Sequence, residues 1–154
     1  YKHLAGTISF IPYGVLVDHF QTEVYENPDM TPDERKATWR KLEKMYQPYK
    51  VYDNAFLEKG TYWFRQSHIF SNAFYYIDYT LAQVCAHQYF IKNNVDAMSA
   101  WESYYNLCKQ GGSKSFLELI KVAGLDNPFV DGTIKKISKQ LLDYLNSFDQ
   151  TKLI

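Results

Sequence analysis

The sequence predicts an all-α fold: a bundle of about six helices with an irregular, aromatic-rich segment over residues 49–72. Apolar residues recur at helical spacing, capping residues precede those runs, and proline or glycine closes them.

The elements follow in chain order. In "ISFIPYGVLVDHFQTEVYENP", Ile8, Ile11, Val15, Leu16, Phe20 and Val24 fall close to one helical stripe. Asn27 precedes Pro28, and a residue before proline avoids the helical region, so the first helix ends there. "TPDE" is a capping box: Thr31 caps, Pro32 takes the first helical position, and Glu34 reaches back to the cap nitrogen. The second helix is expected to bury Trp39 and Leu42, with Met45 and Tyr46 beside them, and to stop at Pro48. Residues 49–72 lack helical periodicity and mix Asp53, Asn54, Gly60, Ser71 and Asn72 with aromatic residues. There, "TYWF" and "SHIF" are either short extended segments or parts of a structured loop. A long aromatic loop between strong helices is often functional. Residues 73–92 are apolar nearly all round, which predicts a helix buried on several sides. Gly111 and Gly112 close the next helix, "VDAMSAWESYYNLCKQGG". Ser115 and Glu118 form a second capping box before a short helix that ends at Gly124. The last helix places Ile134, Ile137, Leu141, Leu142 and Leu145 on one face.

Composition narrows the function. A length of 154 residues implies one domain, and a 46% hydrophobic content supplies its core. The chain is 18% aromatic, with 14 Tyr and 10 Phe, which excludes disorder. Tyrosine combines an apolar body with a hydroxyl that seeks a partner, so this excess implies a polar-edged groove or a docking surface. The 17 basic and 17 acidic residues balance, which argues against nucleic acid and against an electrostatic membrane anchor. No run of about 18 uncharged apolar residues occurs, nor a signal-peptide pattern at the start. Cys85 and Cys108 form no Cys-x-x-Cys pair and lie in helical contexts, so packed, reduced thiols and a cytoplasmic setting are expected. The abrupt apolar start without methionine is what a piece of a longer protein would show.

Few residues are candidates for chemistry. The histidines are His3, His19, His68 and His87, and no two stand at helical ligand spacing. With no His-Glu-x-x-His and no paired cysteines, the pattern provides no complete zinc site, which needs three or four placed ligands. "QGGSKS" reads as a helix stop and a helix cap rather than a phosphate loop. His19, beside Asp18, reads as a surface or interhelical contact. His68 lies in the irregular segment just before the aromatic helix, where a merely packed histidine is the ordinary reading. Tyr75 and Tyr76 each come within helical reach of Tyr79, though most such tyrosines are core. Asp78, in a nearly all-apolar helix, calls for an arginine, histidine or tyrosine partner. The residues alone leave "FRQSHIFSNAFYYIDYTLAQ" as either core or one wall of a site.

"IPYGVLVDHFQTEVYENP" and "TPDERKATWRKLEKMYQPY" resemble the C-terminal part of oligoendopeptidase F, a zinc metallopeptidase of the thimet-oligopeptidase-like group. "FLEKGTYWFRQSHIF", "FYYIDYTLAQ" and "CKQGGSKSFLELIKVAGLDNPF" extend that resemblance over essentially the whole chain. It implies a mainly helical catalytic domain whose zinc ligands, His-Glu-x-x-His and a later glutamate, lie upstream of this part. It also implies that His68, Tyr75, Tyr76 and Tyr79 face the peptide and its oxyanion opposite the metal. Zinc would then be a cofactor of the full-length parent and not of this chain. Its partners would be a short peptide substrate and the N-terminal remainder of the parent. A lobe taken out of such a domain is expected to expose apolar surface and to associate with itself. The competing class is a non-catalytic helical interaction or scaffold module in which the tyrosines are core.

Overall fold

Local signals set most of the helix ends. The structure, a computed structural model, describes residues 1–152, and among these the regular elements are helical, with no strand. Helix α1 (Lys2–Glu26) starts well before the predicted stripe and carries Pro12 inside it, at the loss of one helical N–H. Its buried residues include Leu4, Leu16, Val17, Phe20 and Gln21. Helix α2 (Pro32–Tyr46) begins with the predicted capping box: the Thr31 N–H donates to Glu34 at 2.7 Å, and the Glu34 N–H donates to Thr31 Oγ1 at 3.3 Å. Trp39 and Leu42 are buried as expected, but Met45 is exposed and Tyr46 only half-buried. The Tyr46 hydroxyl meets His19 Nδ1 at 2.9 Å, so His19 is an interhelical contact.

The irregular segment is wound and not extended. A π-helical turn (Leu57–Thr61) leads into a 3-10 turn (Tyr62–Arg65) and the short helix α3 (Ser67–Ser71). The extended alternative for "TYWF" and "SHIF" is therefore wrong, and the structured loop is what forms. Gly60 explains part of this, since its φ of 86° belongs to the left-handed region. A Cβ there would overlap the Lys36 backbone carbonyl, so the loop lies directly against α2.

Glu43 fixes the same segment from below. Fully buried, it accepts from Arg40 at 3.1 Å, from the Tyr52 hydroxyl at 2.6 Å and from Lys50 Nζ at 3.0 Å. Burial and the Glu43 carboxylate hold the Tyr52 phenol well above its ordinary range. Arg40 reaches on to Glu58 at 2.6 Å, and Lys50 Nζ lies 3.4 Å from the Tyr62 ring centroid. Buried charge is thus compensated on each side.

Helix α4 (Ile77–Val95) is followed by α5 (Ala97–Gln110), whose cap Asp96 accepts from the Met98 and Ser99 N–H groups. On α4, Thr80, Val84, His87 and Gln88 are buried while Tyr79, Ala82 and Ala86 are exposed. One flank is open, contrary to the expectation of burial on several sides. Helix α6 (Phe116–Val122) carries the predicted Ser115–Glu118 capping box. In α7 (Thr133–Asn146) the buried face is Thr133, Ile137, Leu141 and Leu145, a strict four-residue repeat. Ile134 and Leu142, expected on that face, are exposed because each sits one residue off the repeat. A 3-10 turn spans Gln150–Lys152.

The chain divides into two compact units, residues 9–80 and residues 1–8 with the chain from 81 onward. The first has a core of Leu16, Val17, Phe20, Trp39, Leu42 and Trp63. In the second, Ile120, Ala123 and Leu125 pack with Cys85, Tyr89 and Leu107.

Candidate active site

The residues singled out by sequence come together within the 9–80 unit. His68 sits on the first turn of α3, and its ring lies edge-on to Tyr76 at 5.1 Å and to Tyr79 at 5.7 Å between centroids. Tyr76 and Tyr79 are themselves 5.5 Å apart. Tyr75 reaches the cluster only through Tyr79, at 5.4 Å. Tyr79 is 43% and Tyr75 49% exposed, so neither ring is core, while His68 and Tyr76 are half-buried.

Two devices place these side chains. Between α3 and α4 the chain passes through Phe74, a non-glycine residue with φ of 60°. Such a backbone costs about 1–2 kcal/mol and persists only when its surroundings hold it. Here Gln21, buried on α1, accepts the Phe74 N–H at 3.1 Å, and the Phe74 ring packs on Tyr25 at 5.0 Å. At Gly14, α1 comes so close to the start of α4 that a Cβ would overlap Thr80 Oγ1. Phe74 had no local signal in the sequence.

The electrostatics favour neutral donors. Burial, then the neighbouring Tyr79, raises the Tyr76 phenol above its ordinary value. The Tyr79 phenol is raised by desolvation, by the neighbouring Tyr75 and by Asp78. Both hydroxyls keep their protons at neutral pH. Asp78 does not need the buried partner expected of it: it is exposed to water in the first turn of α4.

A hydrogen-bonded pair that the sequence did not single out, Tyr13 and Gln66, also touches the cluster. The Tyr13 hydroxyl donates to Gln66 Oε1 at 2.8 Å, and Gln66 Nε2 meets His68 Nδ1 at 2.7 Å. Gln66 is adjacent in sequence to His68's turn, but Tyr13 lies on α1 and no spacing connects it. Among the described residues no three His, Cys, Asp or Glu side chains gather into a group that could hold a metal ion.

The histidine–tyrosine cluster thus stands, partly exposed, at the end of the wound aromatic loop. Residues 2–139 match the sequence profile of peptidase family M3. The chain belongs to that family. This M3 chain is 51% identical to a chain described as an oligoendopeptidase F, with a TM-score of 0.92 over 96% of its length. A structure of PZ peptidase A with an inhibitor is 52% identical, again with a TM-score of 0.92 over 96% of this chain. A chain described as an oligoendopeptidase F from Bacillus anthracis str. Ames is 44% identical, with a TM-score of 0.79 over 98%. The M3 chain spans only 26%, 26% and 24% of those three chains, about a quarter of a much larger molecule. No curated protein matches it significantly. Among the described residues no helix is long and apolar enough to cross a membrane, and Cys85 and Cys108 are both free thiols.

Proposed function

We propose that this chain is the C-terminal lobe of the catalytic domain of a zinc-dependent oligoendopeptidase that hydrolyses short peptides. The observation that carries the reading is the His68–Tyr76–Tyr79 cluster, with donors gathered on one partly open flank. It is supported by the names of the similar chains, oligoendopeptidase F and PZ peptidase A, the latter with an inhibitor bound. The metal and its ligands belong to the remainder of the parent, so the isolated chain binds no zinc tightly and cleaves no peptide. The free thiols favour a reducing, cytoplasmic setting.

The lobe's contribution is to the transition state. Attack on a peptide carbonyl turns its oxygen into an oxyanion, and a donor aimed at that oxygen binds it more tightly than the flat carbonyl. Tyr76 and Tyr79 hold phenolic protons at neutral pH, and His68 offers an imidazole N–H between them. Each such donor is typically worth about 3 kcal/mol in kcat. Tyr75 acts at the edge, through Tyr79.

The test is kinetic, in the full-length enzyme. His68→Ala, Tyr76→Phe and Tyr79→Phe should each lower kcat by about a hundredfold or more with little change in KM. Tyr75→Phe should cost much less. Near-normal kcat in all four variants would leave the cluster as packing and favour the scaffold reading.

A further inference from the structure

The Tyr13–Gln66–His68 chain has a direction, and that direction decides what His68 offers. Tyr13 Oη lies 2.8 Å from Gln66 Oε1, and Gln66 Nε2 lies 2.7 Å from His68 Nδ1. An amide can be turned over, so two proton arrangements need comparison. In the first, the phenol donates to Oε1 and the amide N–H donates to the lone pair on Nδ1. In the second, the amide donates to the phenol oxygen and Oε1 accepts from a protonated Nδ1. The second takes from the phenolic proton its acceptor on Gln66, and the neighbouring Trp39, Tyr62 and Tyr76 rings and Lys50 ammonium offer no comparable one. Losing that proton is no escape, since burial, with Tyr76 and Tyr62 nearby, pushes the Tyr13 phenol far above its ordinary range. The first arrangement gives every proton an acceptor within the protein.

We infer that Gln66 and Tyr13 are positioning residues that hold neutral His68 as its Nε2–H tautomer, so that the ring presents a donor rather than a lone pair. The neighbouring rings add to this. Tyr76 and Tyr79 flank the imidazole edge-on, which opposes the ring flip that would exchange its nitrogens. His68 then needs no protonation to act as a donor, and the role of a charged imidazolium falls away. The functional consequence rests on the reading of His68 as a substrate-facing donor given above, but the tautomer itself does not.

The experiment separates the two. The protein is labelled with 15N-histidine, and long-range 1H–15N spectra are recorded in alkaline solution, where the ring is neutral. His68→Gln identifies the His68 signals. The wild type should show the Nε2–H tautomer almost alone. Gln66→Glu keeps the size of the side chain but replaces the amide donor with an acceptor, so it should convert His68 to the Nδ1–H tautomer. Tyr13→Phe removes one hydroxyl and frees the amide to turn, so it should give a mixture, and it serves equally if Gln66→Glu folds poorly. In the full-length enzyme under the same conditions, Gln66→Glu should lower kcat at least about tenfold with KM nearly unchanged, short of the loss expected for removing the donor itself. An Nδ1–H wild type, or a tautomer that ignores both substitutions, overturns the relay. A tautomer that switches as expected while kcat stays normal upholds the relay and overturns the donor role of His68.

Discussion

Glu43→Ala should loosen the loop that carries the candidate site, without touching the site itself. The carboxylate is fully buried and receives Arg40 at 3.1 Å, Lys50 at 3.0 Å and the Tyr52 hydroxyl at 2.6 Å. Removing it affects the three donors unequally. Arg40 keeps Glu58 at 2.6 Å, but Lys50 is left with ring faces alone, the nearest being Tyr62 at 3.4 Å, and Tyr52 loses its acceptor. Breaking a buried pair in this way costs about 3–5 kcal/mol. Lys50 has a flexible stem that can swing toward water, which places the expectation at the lower end, about 3 kcal/mol. That corresponds to roughly a hundredfold increase in the open population of the segment. Hydrogen exchange read by mass spectrometry locates the effect: peptides covering residues 49–66 should exchange about a hundredfold faster, with α5 and α6 unchanged. Glu43→Gln retains an oxygen for Tyr52 and should show a smaller change. Unaltered exchange over 49–66 in Glu43→Ala would mean that the buried carboxylate does not hold the loop.

Other outcomes follow from single features. His87 is buried, and because Thr7 gives its proton to the Leu4 carbonyl at 2.9 Å, His87 Nε2 must donate to Thr7 Oγ1 at 3.0 Å. Burial lowers the His87 pKa, so the unfolded chain binds more protons and stability falls as pH drops below about 6.5. Thermal melts from pH 8 to pH 5 should show a shallower decline for His87→Gln, and parallel curves would contradict this. Gly60→Ala places a side chain at φ of 86° against the Lys36 carbonyl and should destabilise the protein by more than the about 1–2 kcal/mol of backbone strain alone. In denaturant titration, a loss under about 0.5 kcal/mol would contradict the close approach of loop and α2. Met98, Trp101, Tyr104 and Tyr105 leave an apolar stretch of α5 exposed, as do Phe56, Phe64 and Phe70 in the loop. Separated from its parent, the chain should sediment as a dimer or larger species, and a monomer at high concentration would count against that.

The readable parts of this fold are those whose causes are local. Both capping boxes, Thr31 with Glu34 and Ser115 with Glu118, form as the sequence pattern requires, because a cap needs only its own turn. The loop over 49–72 was legible as a break in periodicity. Its winding was not, because Gly60 is held by Lys36 on another helix and Tyr52 by a buried Glu43. The misplaced Met45, Ile134 and Leu142 have the same origin: apolar periodicity says that a face exists, while its neighbours decide which edge is covered. The candidate site divides in the same way. His68, Tyr76 and Tyr79 could be proposed from a resemblance carried by short motifs, whereas Tyr13 reaches Gln66 across 53 positions that no pattern links.

If the His68–Tyr76–Tyr79 wall binds an oxyanion, its donors should recognise a tetrahedral phosphinic peptide more strongly than the matching uncleaved peptide. The decisive measurement is the affinity of both compounds for the full-length enzyme and for His68→Ala, Tyr76→Phe and Tyr79→Phe. Phosphinate affinity should fall in parallel with kcat/KM across the series, while binding of the planar peptide stays nearly constant. Equal losses for both compounds, or none for either, would show that these side chains bind peptide or support the fold without serving the transition state.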